Sequence, residues 1–166
     1  ILTHAHIDHS GYLPKLVEAG FSGPIYCTFP TKELVEILLL DSGRLQEEEA
    51  AFAKKKGYSR HEHPGALYGV SQAQKVFPLL RAFGYTQEII IQEKIRLVFQ
   101  DAGHILGSAI AEIYVQGDSQ QKKLVFSGDL GRYEQPIFND PTAISQADIL
   151  FIESTYGDRE TMEENV

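Results

Sequence analysis

The sequence predicts an α+β domain in which helices stack on a largely antiparallel or mixed sheet. Three observations carry that prediction. Helical periodicity occupies roughly the first half of the chain, five β-rich runs at hairpin spacing follow, and no repeat or Pro/Gly/Ser-rich linker divides the 166 residues. Regular βαβ alternation is not the pattern.

Taken in order, Ile1-Leu2 read as the end of a strand whose beginning lies upstream, so the chain is expected to be an excised piece of a longer protein. Leu13, Leu16 and Val17 then recur at helical spacing, with Ser10 as the expected N-cap, Pro14 near the first turn and Gly20 as a stop. Ile25-Tyr26-Cys27 is a brief strand. Leu34, Ile37 and Leu38 mark one face of a helix expected to run toward Lys54-Lys55-Lys56-Gly57, with an interruption near Ser42-Gly43; basic residues before a glycine suit a helix C-terminus.

From about Tyr58 to Gly69 the chain reads as loop. Ser71-x-x-Gln74 forms a capping box for a helix carrying Val76, Phe77 and Leu80, which Pro78 bends or ends early. Glu88–Gln92, Ile95–Gln100, Ala109–Gln116, Lys122–Phe126 and Ile149–Ile152 are the predicted strands, separated by turn residues such as Gly117-Asp118.

Composition narrows the function. With 43% hydrophobic residues the chain can build a core, and with 15 Lys+Arg against 23 Asp+Glu its formal charge of -8 excludes a whole-surface grip on nucleic acid. Any polyanion must be met locally. The apolar stretches around 34–40 and 149–152 are far too short to span a bilayer. The single Cys27 excludes an internal disulfide and a cysteine-rich zinc cluster, and the cytoplasm is the expected compartment.

The chemistry concentrates in His4-Ala5-His6-Ile7-Asp8-His9, four potential metal ligands within six residues of a chain holding six histidines. In extended backbone, residues two apart point to one side, so His4 and His6 can close on one ion. A turn into helix would re-aim Asp8 and His9 toward a neighbouring ion. His104, after a strand and before Gly107-Ser108, and Asp129, between Gly128 and Leu130-Gly131, add an imidazole and a carboxylate at strand ends. Each alone would be an ordinary turn residue. Converging, these side chains form the donor set of a dinuclear site, in which imidazole suits zinc and a carboxylate can bridge. Arg60-His61-Glu62-His63-Pro64 offers a second His-x-His, and it reads as a solvated loop.

The His-x-His-x-Asp-His cluster, His104 and Asp129 resemble the ligand signature of the metallo-β-lactamase fold, an αββα sandwich. The segments Gly103-His104-Ile105-Leu106-Gly107-Ser108-Ala109, Ser127-Gly128-Asp129-Leu130-Gly131-Arg132 and Glu153-Ser154-Thr155-Tyr156-Gly157 resemble its β-CASP branch, which includes the endonuclease subunit of the mRNA cleavage and polyadenylation machinery and its prokaryotic relatives.

That resemblance implies a zinc-dependent phosphodiester hydrolase acting on single-stranded RNA, as a homo-oligomer or within an RNA-processing complex. It implies His4, His6 and His104 on one ion, Asp8 and His9 on a second, Asp129 bridging, and Asp8 and Glu153 in catalysis. It also implies that residues 1–166 are a partial domain, without its first strands, the inserted β-CASP domain and the C-terminal part. Two later histidines of the family pattern, one a ligand of the second ion and one the partner of the acid, have no counterpart here. One firm and one weak metal site are expected, with no meaningful turnover by the isolated piece. Thioester or small-ester hydrolysis and a non-catalytic scaffold or binding subunit are the alternatives.

Overall fold

The computed structural model describes residues 1–57, 65–155, 157 and 158. Two short helices, α1 (Ile7–Ser10) and α2 (Leu13–Glu18), follow the N-terminal segment. Strand β1 (Ile25–Thr28) leads directly into α3 (Phe29–Lys56), and α4 (Val70–Gln74) precedes β2 (Leu80–Phe83). Strands β3 (Ile89–Gln92), β4 (Ile95–Asp101), β5 (Ala109–Gln116), β6 (Gln121–Phe126) and β7 (Ile149–Phe151) complete the described chain. Helices packed with a mixed sheet are the expected class.

β1 and β2 pair in parallel, Ile25 opposite Leu80. The larger sheet runs β3-β4-β5-β6-β7, antiparallel through β6, with β7 parallel to β6. Period-two alternation divides its faces: Leu97, Phe99, Ala109 and Ala111 fill one core cluster, while Ile110 and Val125 join Ala102 in another beneath Leu130, Ile144 and Ala147. The helices close over a third cluster of Leu2, Ala5, Ile25, Cys27, Val35, Leu39 and Leu80 among others.

One short segment stitches the two sheets together. Leu2 N–H donates to Tyr26 O at 2.9 Å, and Ala109 N–H donates to Thr3 O at 2.8 Å. The backbone therefore enters the seam between β1 and β5 just before His4. This is what delivers the histidine cluster to the ends of both sheets.

Helix α3 begins where Thr28 Oγ1 accepts from Thr31 N–H and Pro30 occupies the first turn; it ends on Gly57, at φ 66°, after Lys54–Lys56. Its buried residues, Thr31, Val35, Leu39 and Gly43, recur every four positions.

Four local expectations need correction. The interruption at Ser42-Gly43 does not occur. A Cβ on Gly43 would lie 2.9 Å from the carbonyl carbon of Gly69 and 3.0 Å from Val70 N, so the glycine admits the start of α4 against α3. That close approach offsets a helix-propensity cost of about 1 kcal/mol. Ser10 is not the cap of α2, since its hydroxyl donates back to Ala5 O and His6 O at 2.9 and 3.0 Å. The box at α4 sits two residues earlier, Gln72 Oε1 accepting from Gly69 N–H at 3.1 Å. Finally, the helix expected to reach Leu80 stops at Gln74, because Pro78 sits in a 3₁₀ turn (Phe77–Leu79) and Leu80–Phe83 pair with β1.

Candidate metal centre

Each candidate ligand is placed by an element whose local sequence explains its position. His4 follows the stitched segment and is completely buried. His6 caps α1 in extended conformation, φ -50° and ψ 145°, and the chain turns into α1 at Ile7, carrying Asp8 and His9 around to the next flank. His104 sits in the β4–β5 loop, where Ser108 Oγ accepts from the His104 and Ile105 amides at 3.0 and 3.1 Å. The same loop is gripped from the other side, because the hydroxyls of Thr28 and Thr31 donate to Gly107 O at 2.7 and 2.8 Å. Gly107 has φ 82° and no room for a Cβ beside these threonines, which lie 76 and 79 residues away along the chain.

Asp129 comes off the end of β6 through Gly128, at φ 57°, where a Cβ would lie 2.9 Å from Thr3 Cβ. Glu153, just past β7, accepts from Leu130 N–H through Oε1 at 2.5 Å. The carboxylate thereby holds the loop that carries Asp129.

The result is one compact donor group. His4 Nε2 lies 3.1 Å from His6 Nδ1, and His6 Nδ1 lies 3.3 Å from His104 Nε2. Asp129 Oδ2 stands 3.7 Å from His4 Nε2 and 3.6 Å from His104 Nε2. One donor atom from each of these four residues lies within 4.8 Å of every other. Zinc–nitrogen bonds of 2.0–2.1 Å at tetrahedral angles put neighbouring donors roughly 3.3–3.4 Å apart. The separations of 3.1, 3.3, 3.6 and 3.7 Å lie near that value, so three imidazoles and a carboxylate form a group able to hold one ion.

Asp8 and His9 stand outside this group, with the His9 ring packed 4.1 Å from that of His4 and its Nε2 turned to Asp129. His9 Nε2 lies 3.1 Å from Asp129 Oδ1 and 3.5 Å from Asp8 Oδ2. The two oxygens of Asp129 therefore face different partners, Oδ2 toward His4 and His104, Oδ1 toward His9. The Asp8 side chain is 75% exposed, whereas that of His4 is 0%.

Burial, reinforced by the nearby His9 and opposed by Asp129, lowers the His4 imidazole pKa from its ordinary 6.5 to about 4. The ring is neutral at physiological pH, the form in which a histidine binds metal. Thr3 Oγ1 lies 3.2 Å from its Nδ1, which leaves Nε2 to face the cluster.

A cavity of about 700 Å³ opens on the group, lined by His6, His104, Asp129 and Glu153 and walled by Arg132, Gln135 and Phe138. Arg132 is part of a motif read from the sequence, but Gln135 and Phe138 are not, nor do Thr28, Thr31 and Ser108 read there as supports of the His104 loop. Their role arises from contacts distant in the chain; only the glycines at 107 and 131 hinted at close backbone approach. His61 and His63 lie outside the described residues, as does Tyr156.

The whole length agrees with a known pattern: residues 1–164 match the metallo-beta-lactamase superfamily. The chain belongs to that superfamily. A metal-binding fold is thus matched by a His/Asp group able to hold an ion. Among curated proteins, this superfamily member is 36% identical over 165 residues to transcription termination factor FttA of Methanothermobacter thermautotrophicus, covering 98% of this chain and 23% of that protein. It is 35% identical to ribonuclease TTHA0252 of Thermus thermophilus over 159 residues, 96% of this chain and 32% of the relative. An RNase J-like protein of Methanocaldococcus jannaschii is 33% identical over 158 residues, 95% and 31% respectively. The chain spans about a quarter to a third of the length of these relatives. Two of these relatives are named as a ribonuclease and an RNase J-like protein, and one as a transcription termination factor.

Proposed function

We propose that the protein to which these residues belong is a zinc-dependent ribonuclease cleaving phosphodiester bonds of single-stranded RNA, and that residues 1–166 form part of its metallo-β-lactamase domain. The observation that carries the reading is the division of Asp129, one oxygen facing the imidazoles of His4 and His104 and the other facing His9. A carboxylate so placed suits a bridge between two ions. In this reading His4, His6 and His104 hold the first, Asp8 and His9 the second. The names of the relatives, a ribonuclease and a transcription termination factor, support RNA as substrate.

Two bound ions would supply Lewis-acid stabilisation of phosphoryl charge and a water nucleophile available near neutral pH. The chain's own part is positional. Neutral His4, held by burial, offers its lone pair without competition from a proton at pH 7. Asp8, largely exposed beside His9, is free to orient a water or accept its proton. Glu153 holds the Asp129 loop through Leu130 N–H and lines the cavity at the same time. The positive centre left by two dications and these carboxylates accounts for attraction of a phosphodiester to a chain of formal charge -8.

The first site is firm and the second weak in this reading, and the 166 residues alone turn over no substrate. RNA-processing assemblies and the cytoplasm are the expected setting; no helix among the described residues is long and apolar enough to cross a membrane. The test is to offer the full-length protein single-stranded RNA and a thioester side by side. Zinc-dependent RNA cleavage that disappears in Asp8→Asn is expected. Thioester turnover without RNA cleavage would replace this reading with a small-ester hydrolase.

A further inference from the structure

The wall of the cavity holds one permanent cation. Among the described lining residues, Arg132 is the sole Lys or Arg. The other described arginines are occupied: Arg44 by Asp41, Arg96 by Glu88, and Arg81 by the carbonyls of Pro78 and Leu80. Arg132 has no ion pair or hydrogen bond among the described residues, although acidic side chains stand around it. The two acids that share the cavity lining with it are engaged elsewhere, Glu153 with Leu130 N–H and Asp129 with the histidines. In a chain with 23 acids and 15 bases, an unpaired guanidinium beside a donor cluster is a group kept for something else.

Its backbone is fixed as firmly as its side chain is free. Gly131 N–H donates to Ala102 O at 2.8 Å, and a Cβ on Gly131 would lie 1.7 Å from Gly103 O. The loop is pinned again at its far end, where Thr142 N–H donates to Asp101 O at 2.9 Å and Asn139 Nδ2 to Asp101 Oδ2 at 3.0 Å. Arg132 therefore springs from backbone in contact with the residue before His104. Arg132 lines the cavity from a base held against the Ala102–Gly103 backbone.

We infer that Arg132 binds a phosphate of the substrate strand flanking the one held at the metal centre. The inference rests on the phosphodiesterase reading above and adds a substrate-positioning residue to it. A scissile phosphate at the His/Asp group has its charge met there, but the neighbouring phosphate of the same strand meets an acidic chain. A guanidinium presents paired N–H donors that match phosphate oxygens, and Arg132 is the group in reach that carries a charge of the needed sign.

The experiment is steady-state RNA cleavage by the full-length protein at several salt concentrations, with Arg132→Ala, Arg132→Lys and, as a remote charge control, Arg44→Ala, each checked for zinc content. Arg132→Ala is expected to raise KM about tenfold with kcat within about twofold and zinc content unchanged. It should also flatten the dependence of log KM on log salt by about 0.7, the contribution of one phosphate contact on a single strand. Arg132→Lys should keep the salt slope and recover most of the KM, and Arg44→Ala should change neither.

An Arg132→Ala protein indistinguishable from the unsubstituted one would overturn the inference. So would an Arg132→Lys as poor as Arg132→Ala, an equal effect from Arg44→Ala, or loss of zinc, which would make Arg132 structural. Failure of the unsubstituted protein to cleave RNA at all would instead remove the phosphodiesterase reading, and this inference with it.

Discussion

The two donor groups that share Asp129 differ in how they are held. His4, His6 and His104 come from two distant stretches of chain, meet in a partly buried space, and are braced by Thr3, Ser108 and the threonine pair at the head of α3. Asp8 and His9 come from one four-residue helix, adjacent in sequence; the Asp8 side chain is 75% exposed, whereas His9, at 31%, is covered about as much as His104 at 28%. Tight binding follows from donors that are ordered before the ion arrives, because their ordering entropy is already spent in folding. The first group meets that condition throughout, and in the second the exposed Asp8 does not.

Removing a donor from each group should break the symmetry most visibly. His104→Ala is expected to weaken binding of the tighter zinc by more than the roughly 10–100-fold that loss of an outer-shell partner costs. Asp8→Ala should leave that ion in place and abolish the weaker one, as read by zinc content after dialysis. Equal losses from the two variants would contradict the comparison.

The next effect acts on the scaffold of the first group. Gly131→Ala forces a Cβ into backbone 1.7 Å away, at Gly103 O, so the two loops must separate. A loss of about 2–4 kcal/mol is expected from a clash with backbone of this kind, measured as a lowered urea midpoint. Unchanged stability would mean that the Gly103 and Gly131 loops are not locked together.

Acid should also distinguish the groups. Because the folded-state pKa of His4 lies near 4 and its unfolded value near 6.5, the unfolded chain binds the extra proton first. Metal-free protein should therefore carry this stability in full above about pH 6.5 and lose it progressively as pH falls toward 4, by on the order of 3 kcal/mol. Urea midpoints of the metal-free chain across that window test it, and His4→Phe should flatten the profile. The smallest effect is expected from Thr31→Val, which removes one hydroxyl bond to Gly107 O and should cost about 1 kcal/mol while loosening the His104 loop.

The same contrast explains what could be read from the sequence. Short-range patterns were legible: the β-rich run Ile95–Gln100, the lysines before Gly57, and the spacing of His4, His6, Asp8 and His9. Features that depend on distant contacts were not. Gly43 reads as a helix breaker until Gly69 is seen against it, and Leu80 reads as helix because its partner Ile25 in β1 lies 55 residues earlier in register. Arg132 reads as the end of the Ser127–Arg132 motif, but its place beside the Ala102–His104 loop rests on a contact roughly thirty residues away in the chain.

The claim beneath all of this is that one preorganised ion site sits beside one looser site through Asp129. Calorimetric titration of zinc into the metal-stripped protein addresses it directly. Two binding events separated by at least about a hundredfold in affinity, the tighter lost in His104→Ala and the weaker in Asp8→Ala, are the predicted result. A single event in which both sites fill together, or no binding above that of a His4/His104 double variant, would contradict it.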